Sequence, residues 1–180
     1  MDKAVSNLEK SIGLKNDYAP ARFLLVQVYD RQGKLADAIK RAEELVMLNN
    51  TDIGALFQLG FLYYKNSQFD DAKLVFERTI QLSPNYSNAR YFLGLIYDRE
   101  VPADVKTLAD KLAAKAKAIE QFEKIAELNP DNNEVKQILA NLKAGRAALL
   151  GIAPPAPAPQ SRSEVPVPEG AKAPVQKLKK

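Results

Sequence analysis

The feature that most constrains this chain is a pattern that returns every 34 residues. The stretch 53–86 holds two helical patterns of about three to four turns each, separated by the turn-like Lys65-Asn66-Ser67-Gln68. In the first, Leu56, Leu59, Gly60 and Tyr63 follow three- and four-residue spacings and define one helix face. The second runs from Phe69 through Ala72, Val75, Phe76, Thr79 and Ile80 to a stop at Ser83-Pro84. Proline cannot continue a helix and turns the residue before it away from helical angles. Moved forward by 34, Leu59-Gly60-x-x-Tyr63 becomes Leu93-Gly94-x-x-Tyr97; moved back by 34, it becomes Leu25-Val26-x-x-Tyr29. Ala72-x-x-x-Phe76, with Pro84 eight residues later, maps back onto Ala38-x-x-x-Ala42 with Asn50 in the proline's place. Forward it maps onto Ala118-x-x-x-Phe122 and Pro130, after 12 extra residues. A single helical hairpin cannot bury its apolar face alone, so a repeated one builds its core by stacking on its neighbours.

These motifs resemble the tetratricopeptide repeat. Gly60, Gly94, Ala72 and Ala118 stand where the two helices of a hairpin approach closely, and Tyr63, Tyr97, Phe76 and Phe122 fill the wider gaps. The departures are Val26 for glycine, Asn50 for proline, and the absence of the tryptophan that the family favours. The resemblance implies an all-α, right-handed solenoid of antiparallel helix hairpins, about eight helices in all.

On that frame the expected division is as follows. Residues 1–18 hold the second helix of a truncated repeat, in which Ala4 and Leu8 match Ala72 and Phe76. Repeats occupy 19–52, 53–86 and 87–132, the last with a 12-residue helical insertion around 100–117. A capping helix spans 133–151, with Val135, Ile138, Leu139 and Leu142 inward and Lys136, Gln137, Asn141 and Lys143 outward. The half repeat at the start leads us to expect a chain cut from a longer protein; a native, unpaired capping helix is the alternative. The insertion is rich in Ala, Leu and Lys, good helix formers, and predicts one long helix over 103–128 whose first three turns project past its neighbours. Its stripe of Val105, Leu108, Leu112, Ala116 and Ile119 packs on the preceding helix or loop, or serves as a partner-binding arm. A break near Ala113-Ala114 is the third possibility.

Seven of the 11 prolines lie in 154–174. Such a tract favours extended polyproline conformations and cannot form a helix, so 152–180 is expected to be a disordered, Pro-rich basic tail. It carries five Lys or Arg against two Glu, so most of the net charge of +4 belongs to it rather than to a helical face. That argues against nucleic acid as a partner, which needs a basic stripe on the folded part. No run of 18 apolar residues is present, so no membrane insertion of this segment is expected.

The chain has no Cys and no His. That rules out a Ser-His-Asp triad, a Cys-His dyad and the usual zinc sites. Neighbouring carboxylates such as Glu43-Glu44 point in different directions on a helix, and no Gly-rich phosphate loop occurs. The expectation is no enzyme: no catalytic residues, no cofactor and no metal.

The resemblance further implies a concave surface lined by the first helix of each repeat. Onto it fall Phe23, Gln27, Asp30 and Arg31, then Phe57, Phe61, Tyr64 and Lys65, then Asn88, Tyr91, Leu95, Asp98 and Arg99. Exposed aromatics of this kind mark binding surfaces. Arg31, Lys65 and Arg99, 34 apart each time, form a basic ladder at one rim. Family members that hold a chaperone's terminal carboxylate use Lys and Asn where Phe23 and Gln27 stand here, so chaperone tails are not expected ligands. The expected function is a protein–protein interaction scaffold binding a peptide or helix of a partner in the groove. The alternative is a C-terminal accessory module of a larger membrane-associated bacterial protein, because compact modules with Pro-rich tails look like those appended to enzymes of surface-polysaccharide assembly. The chain is expected to be a monomer or to self-associate weakly through its solenoid ends. Its localisation is open: cytoplasmic, or on either side of a membrane.

Overall fold

The computed structural model describes residues 2–14, 19–99 and 107–151. The described residues form eight helices: α1 (Asp2–Leu14), α2 (Ala19–Arg31), α3 (Leu35–Leu48), α4 (Ile53–Lys65), α5 (Phe69–Leu82), α6 (Ser87–Arg99), α7 (Leu108–Leu128) and α8 (Asn133–Leu149). Each helix packs on the next in the chain, and of the longer-range pairs α4 touches α6. This is the geometry of stacked hairpins, with the first helices of successive hairpins in one layer. The expected tail over 152–180 and the segments 15–18 and 100–106 lie outside the described residues.

The repeat is visible bond by bond. After α2, Gln32 N donates to Val28 O, Gly33 N to Asp30 O, and Lys34 N to Tyr29 O. After α4, Asn66, Ser67 and Gln68 make the same three bonds to Leu62, Tyr64 and Tyr63. Gly33 and Ser67 therefore share one turn position, with φ of 71° and 60°. Glycine takes that left-handed conformation freely, whereas serine takes it at some steric cost. At the other junctions Asp52 and Asn132 cap α4 and α8, each accepting a 3.0 Å bond from the backbone N–H three residues on. Such caps satisfy helix-start N–H groups that have no partner within the helix.

The core explains where small and large residues fall. Phe76 and Phe122 are fully buried, and each ring lies against a glycine of the helix before it. A methyl group on Gly60 would sit 2.8 Å from Phe76 Cε1, and one on Gly94 would sit 2.6 Å from Phe122 Cε2. In the first repeat both positions change together: Val26 replaces the glycine and Ala42 replaces the phenylalanine, and both are buried in one cluster with Ala38, Leu59 and Leu62. Val26 and Ala42 thus make one exchange, bulk moved from the second helix to the first at nearly the same packed volume.

The long helix differs from expectation at its start. It begins at Leu108 rather than 103, because Thr107 and Asp110 form a capping box there. At 21 residues it exceeds α5, which has 14, by about two turns rather than three. It runs unbroken through Ala113-Ala114. Its stripe sinks progressively: Leu108 is exposed, Leu112 and Ala116 are half-buried and Ile119 is buried, while Val105 lies outside the described residues. Lys115 pairs with Asp98 of α6. Among the described residues, no helix is long and apolar enough to cross a membrane.

Candidate binding groove

Helices α2, α4 and α6 carry the residues expected to line a groove. Phe23, Gln27, Phe57, Phe61, Tyr64, Tyr91 and Leu95 are all half-buried, and Arg31, Lys65 and Arg99 stand exposed in the last turns of their helices. The aromatics of α4 and α6 do come together, around a ring that the repeat frame did not single out. Phe92 lies 5.1 Å from Tyr64, 5.2 Å from Phe61, 6.1 Å from Phe57 and 5.6 Å from Tyr91, centroid to centroid. It also stacks on buried Phe76 at 5.6 Å. The groove aromatics are therefore rooted in the core rather than standing free. Phe23 belongs to none of these ring contacts among the described residues.

Tyr91 is a strut as well as a lining residue. Its hydroxyl donates to Glu134 Oε1 at 3.0 Å, tying α6 to α8, and its ring meets Phe122 edge-on. Burial, reinforced by that bond, holds its phenol above the ordinary value.

The basic ladder does not act as three equal charges. Lys65 pairs with Asp30 of α2 and lies 5.7 Å from the Phe61 centroid. The Arg99 guanidinium stacks 4.7 Å from the centroid of Phe69. Arg31 is exposed and makes no salt bridge among the described residues. Beside it an open recess of about 350 Å³ separates α2 from α4, lined by Gln27, Asp30, Arg31, Phe57, Gln58 and Phe61. Asp98 is likewise engaged, by Lys115.

A second periodic feature escaped the sequence reading. Tyr63 donates to Glu43 Oε1 at 2.6 Å, and Tyr97 to Glu77 Oε1 at 2.7 Å. Lys143 meets Glu123 at 2.7 Å in the same frame. In each case a glutamate of one hairpin's second helix holds the residue 20 positions later, on the first helix of the next hairpin. These links fix each hairpin to its successor and so hold the groove wall in place. Burial, then the bond to Glu43, raises the Tyr63 phenol above its ordinary value. At the corresponding place on α1, Glu9 instead meets Arg41, which also reaches Glu44.

No group of three or more metal-binding side chains converges among the described residues. Among the described residues the recess itself presents two half-buried rings, two amides, the Asp30 carboxylate and the exposed Arg31 guanidinium.

A family model described as tetratricopeptide repeat matches residues 53–86. An uncharacterised protein ycf37 of Pyropia yezoensis is 33% identical over 117 residues, covering 62% of this chain and 58% of that protein. The chain therefore spans little more than half the length of that relative. Among solved structures, the crystal structure of MamA is similar with a TM-score of 0.67 at 24% identity, covering 83% of this chain and 82% of that one. The first TPR of Spaghetti (RPAP3), bound to an HSP90 peptide SRMEEVD, is similar with a TM-score of 0.60 at 19% identity, covering 72% of this chain and 93% of that one. These two likenesses concern the fold.

Proposed function

We propose that this tetratricopeptide-repeat module is a protein-interaction scaffold that holds a segment of a partner protein, extended or helical, against the layer formed by α2, α4 and α6. The observation that carries the reading is the half-exposed aromatic patch of Phe57, Phe61, Tyr64 and Tyr91, built around Phe92 and opening onto a recess beside α2. Aromatic side chains set on a rigid base present large apolar area with little entropy left to lose on binding. The structural relative with a bound peptide, the RPAP3 domain, adds a precedent for the fold. The carboxylate clamp that the family resemblance associates with chaperone tails is not part of this reading, because Phe23 and Gln27 occupy the positions that would need Lys and Asn.

The test is capture of partners by the full chain beside two variants. Phe57→Ala/Phe61→Ala removes lining area, but both rings also pack within the aromatic cluster on the core, so its melting temperature falls as well. Gln58→Trp fills the recess without deleting any packing and is expected to keep the fold. A partner retained by the wild type and lost from both variants supports the groove. A partner held equally by folded Gln58→Trp would place binding elsewhere.

A further inference from the structure

We propose that the recess between α2 and α4 is the specificity subsite of this groove, taking one bulky apolar side chain of an extended peptide together with one neighbouring carboxylate. The inference rests on the groove reading and adds the chemistry of the ligand. The recess, at about 350 Å³, lies at the small end of binding-pocket sizes, suited to a single bulky side chain. Its apolar lining is the half-exposed rings of Phe57 and Phe61, which stack on each other with centroids 6.3 Å apart. An apolar ligand group placed there covers area that is otherwise in water.

The walls are polar in a specific way. Gln27 and Gln58 face the recess from opposite helices, and each amide supplies both donors and an acceptor. That pairing suits a peptide backbone, which needs both in alternation and is costly to desolvate unpaired. The charge balance selects the neighbouring residue. Asp30 is neutralised by Lys65, so the lining keeps the charge of Arg31, exposed at the mouth. Neither of the other two cations of the ladder lines the recess: Lys65 pairs with Asp30 at its edge, and Arg99 lies over the Phe69 ring. One guanidinium pairs with one carboxylate, in forked geometry. The ligand is therefore a segment with a single Asp or Glu close to a bulky apolar residue, and not a polyanion.

The experiment uses a displayed library of random 12-residue peptides, selected separately on the full-length wild type and on full-length Arg31→Glu. Arg31 is exposed, so the reversal leaves the core intact. Wild-type selection is expected to return an acidic residue near an aromatic or large aliphatic one. Selection on Arg31→Glu is expected to keep the apolar residue and exchange the acid for Lys or Arg. Individual wild-type peptides are expected to bind Arg31→Glu about tenfold or more weakly, a change in affinity of about 1.4 kcal/mol or more, and to lose binding to Gln58→Trp. Pools of the same charge preference from both proteins, with binding still blocked by Gln58→Trp, overturn the charged subsite and leave the groove standing. Peptides indifferent to Gln58→Trp overturn the groove and the subsite together, as does a selection that returns no common sequence.

Discussion

Phe76→Ala is expected to cost the solenoid about 3–5 kcal/mol, and a second change, Gly60→Val, to give part of it back. The ring of Phe76 is fully buried and fills the space that Gly60 leaves open. Removing it leaves a cavity that helices anchored on both sides cannot close. Gly60→Val alone is also destabilising, by about 1–3 kcal/mol or more, because its Cβ would meet Phe76 Cε1 at 2.8 Å. Together the two changes reproduce the arrangement that the first repeat already uses in Val26 and Ala42. Residues in contact do not act additively, and here the sign is fixed: the double variant is more stable than the sum of the singles implies. Guanidinium unfolding of the four proteins measures this coupling. Additive costs would mean that the first repeat reaches its packing by another route.

Replacing both latch tyrosines, Tyr63→Phe with Tyr97→Phe, is expected to lower stability by about 1–2 kcal/mol for each bond lost. The rings stay, so the loss reports the hydroxyls and the carboxylates of Glu43 and Glu77 that they leave without those partners. The pH dependence follows from the same geometry. Burial and the bond to Glu43 raise the folded pKa of Tyr63 above its ordinary value of 10.0. The folded state thus holds the proton more tightly than the unfolded chain does. This contribution is complete below about pH 10 and is lost as pH rises through the folded value. Tyr91 and Tyr86 shift in the same direction, chiefly through burial. Urea midpoints at pH 8 and above pH 10 are expected to fall less for the double variant than for the wild type. An equal alkaline loss in both would show that these hydroxyls do not couple to folding.

How much of this was legible in the sequence depends on whether a feature repeats within a hairpin or between hairpins. The 34-residue spacing placed α2 through α6, because helix faces and the stops at Asn49 and Pro84 act over a few residues. Gly60 and Gly94 were readable as close approaches, and the rings of Phe76 and Phe122 are what approaches them. The latches were harder, since each links a second helix to the first helix of the next unit. Their signal was nevertheless present, as Glu9, Glu43, Glu77 and Glu123 each stand 20 residues before Tyr29, Tyr63, Tyr97 or Lys143. Phe92 left no such trace: its repeat positions hold Leu24 and Gln58, so nothing periodic announces the centre of the aromatic patch. The start of α7 was misplaced because good helix formers continue upstream of it, whereas the cap of Thr107 with Asp110 is a local signal that could have been read. The basic ladder was legible as a spacing, but the neighbours of each cation were not. Lys65, Arg99 and Arg31 occupy one repeat position, but Asp30 and Phe69 engage the first two.

The central claim is that binding occurs on the face formed by α2, α4 and α6. Its most direct test is a photo-crosslinking amino acid installed in the full chain either in place of Gln58, which lines the recess, or in place of Leu74, which is 64% exposed on α5 in the opposite layer. Irradiation in cell extract, followed by mass spectrometry, is expected to give a discrete protein adduct from position 58, none from position 74, and loss of the adduct when an acidic–aromatic peptide competes. Adducts from position 74 alone, or equally from both positions, would contradict the account.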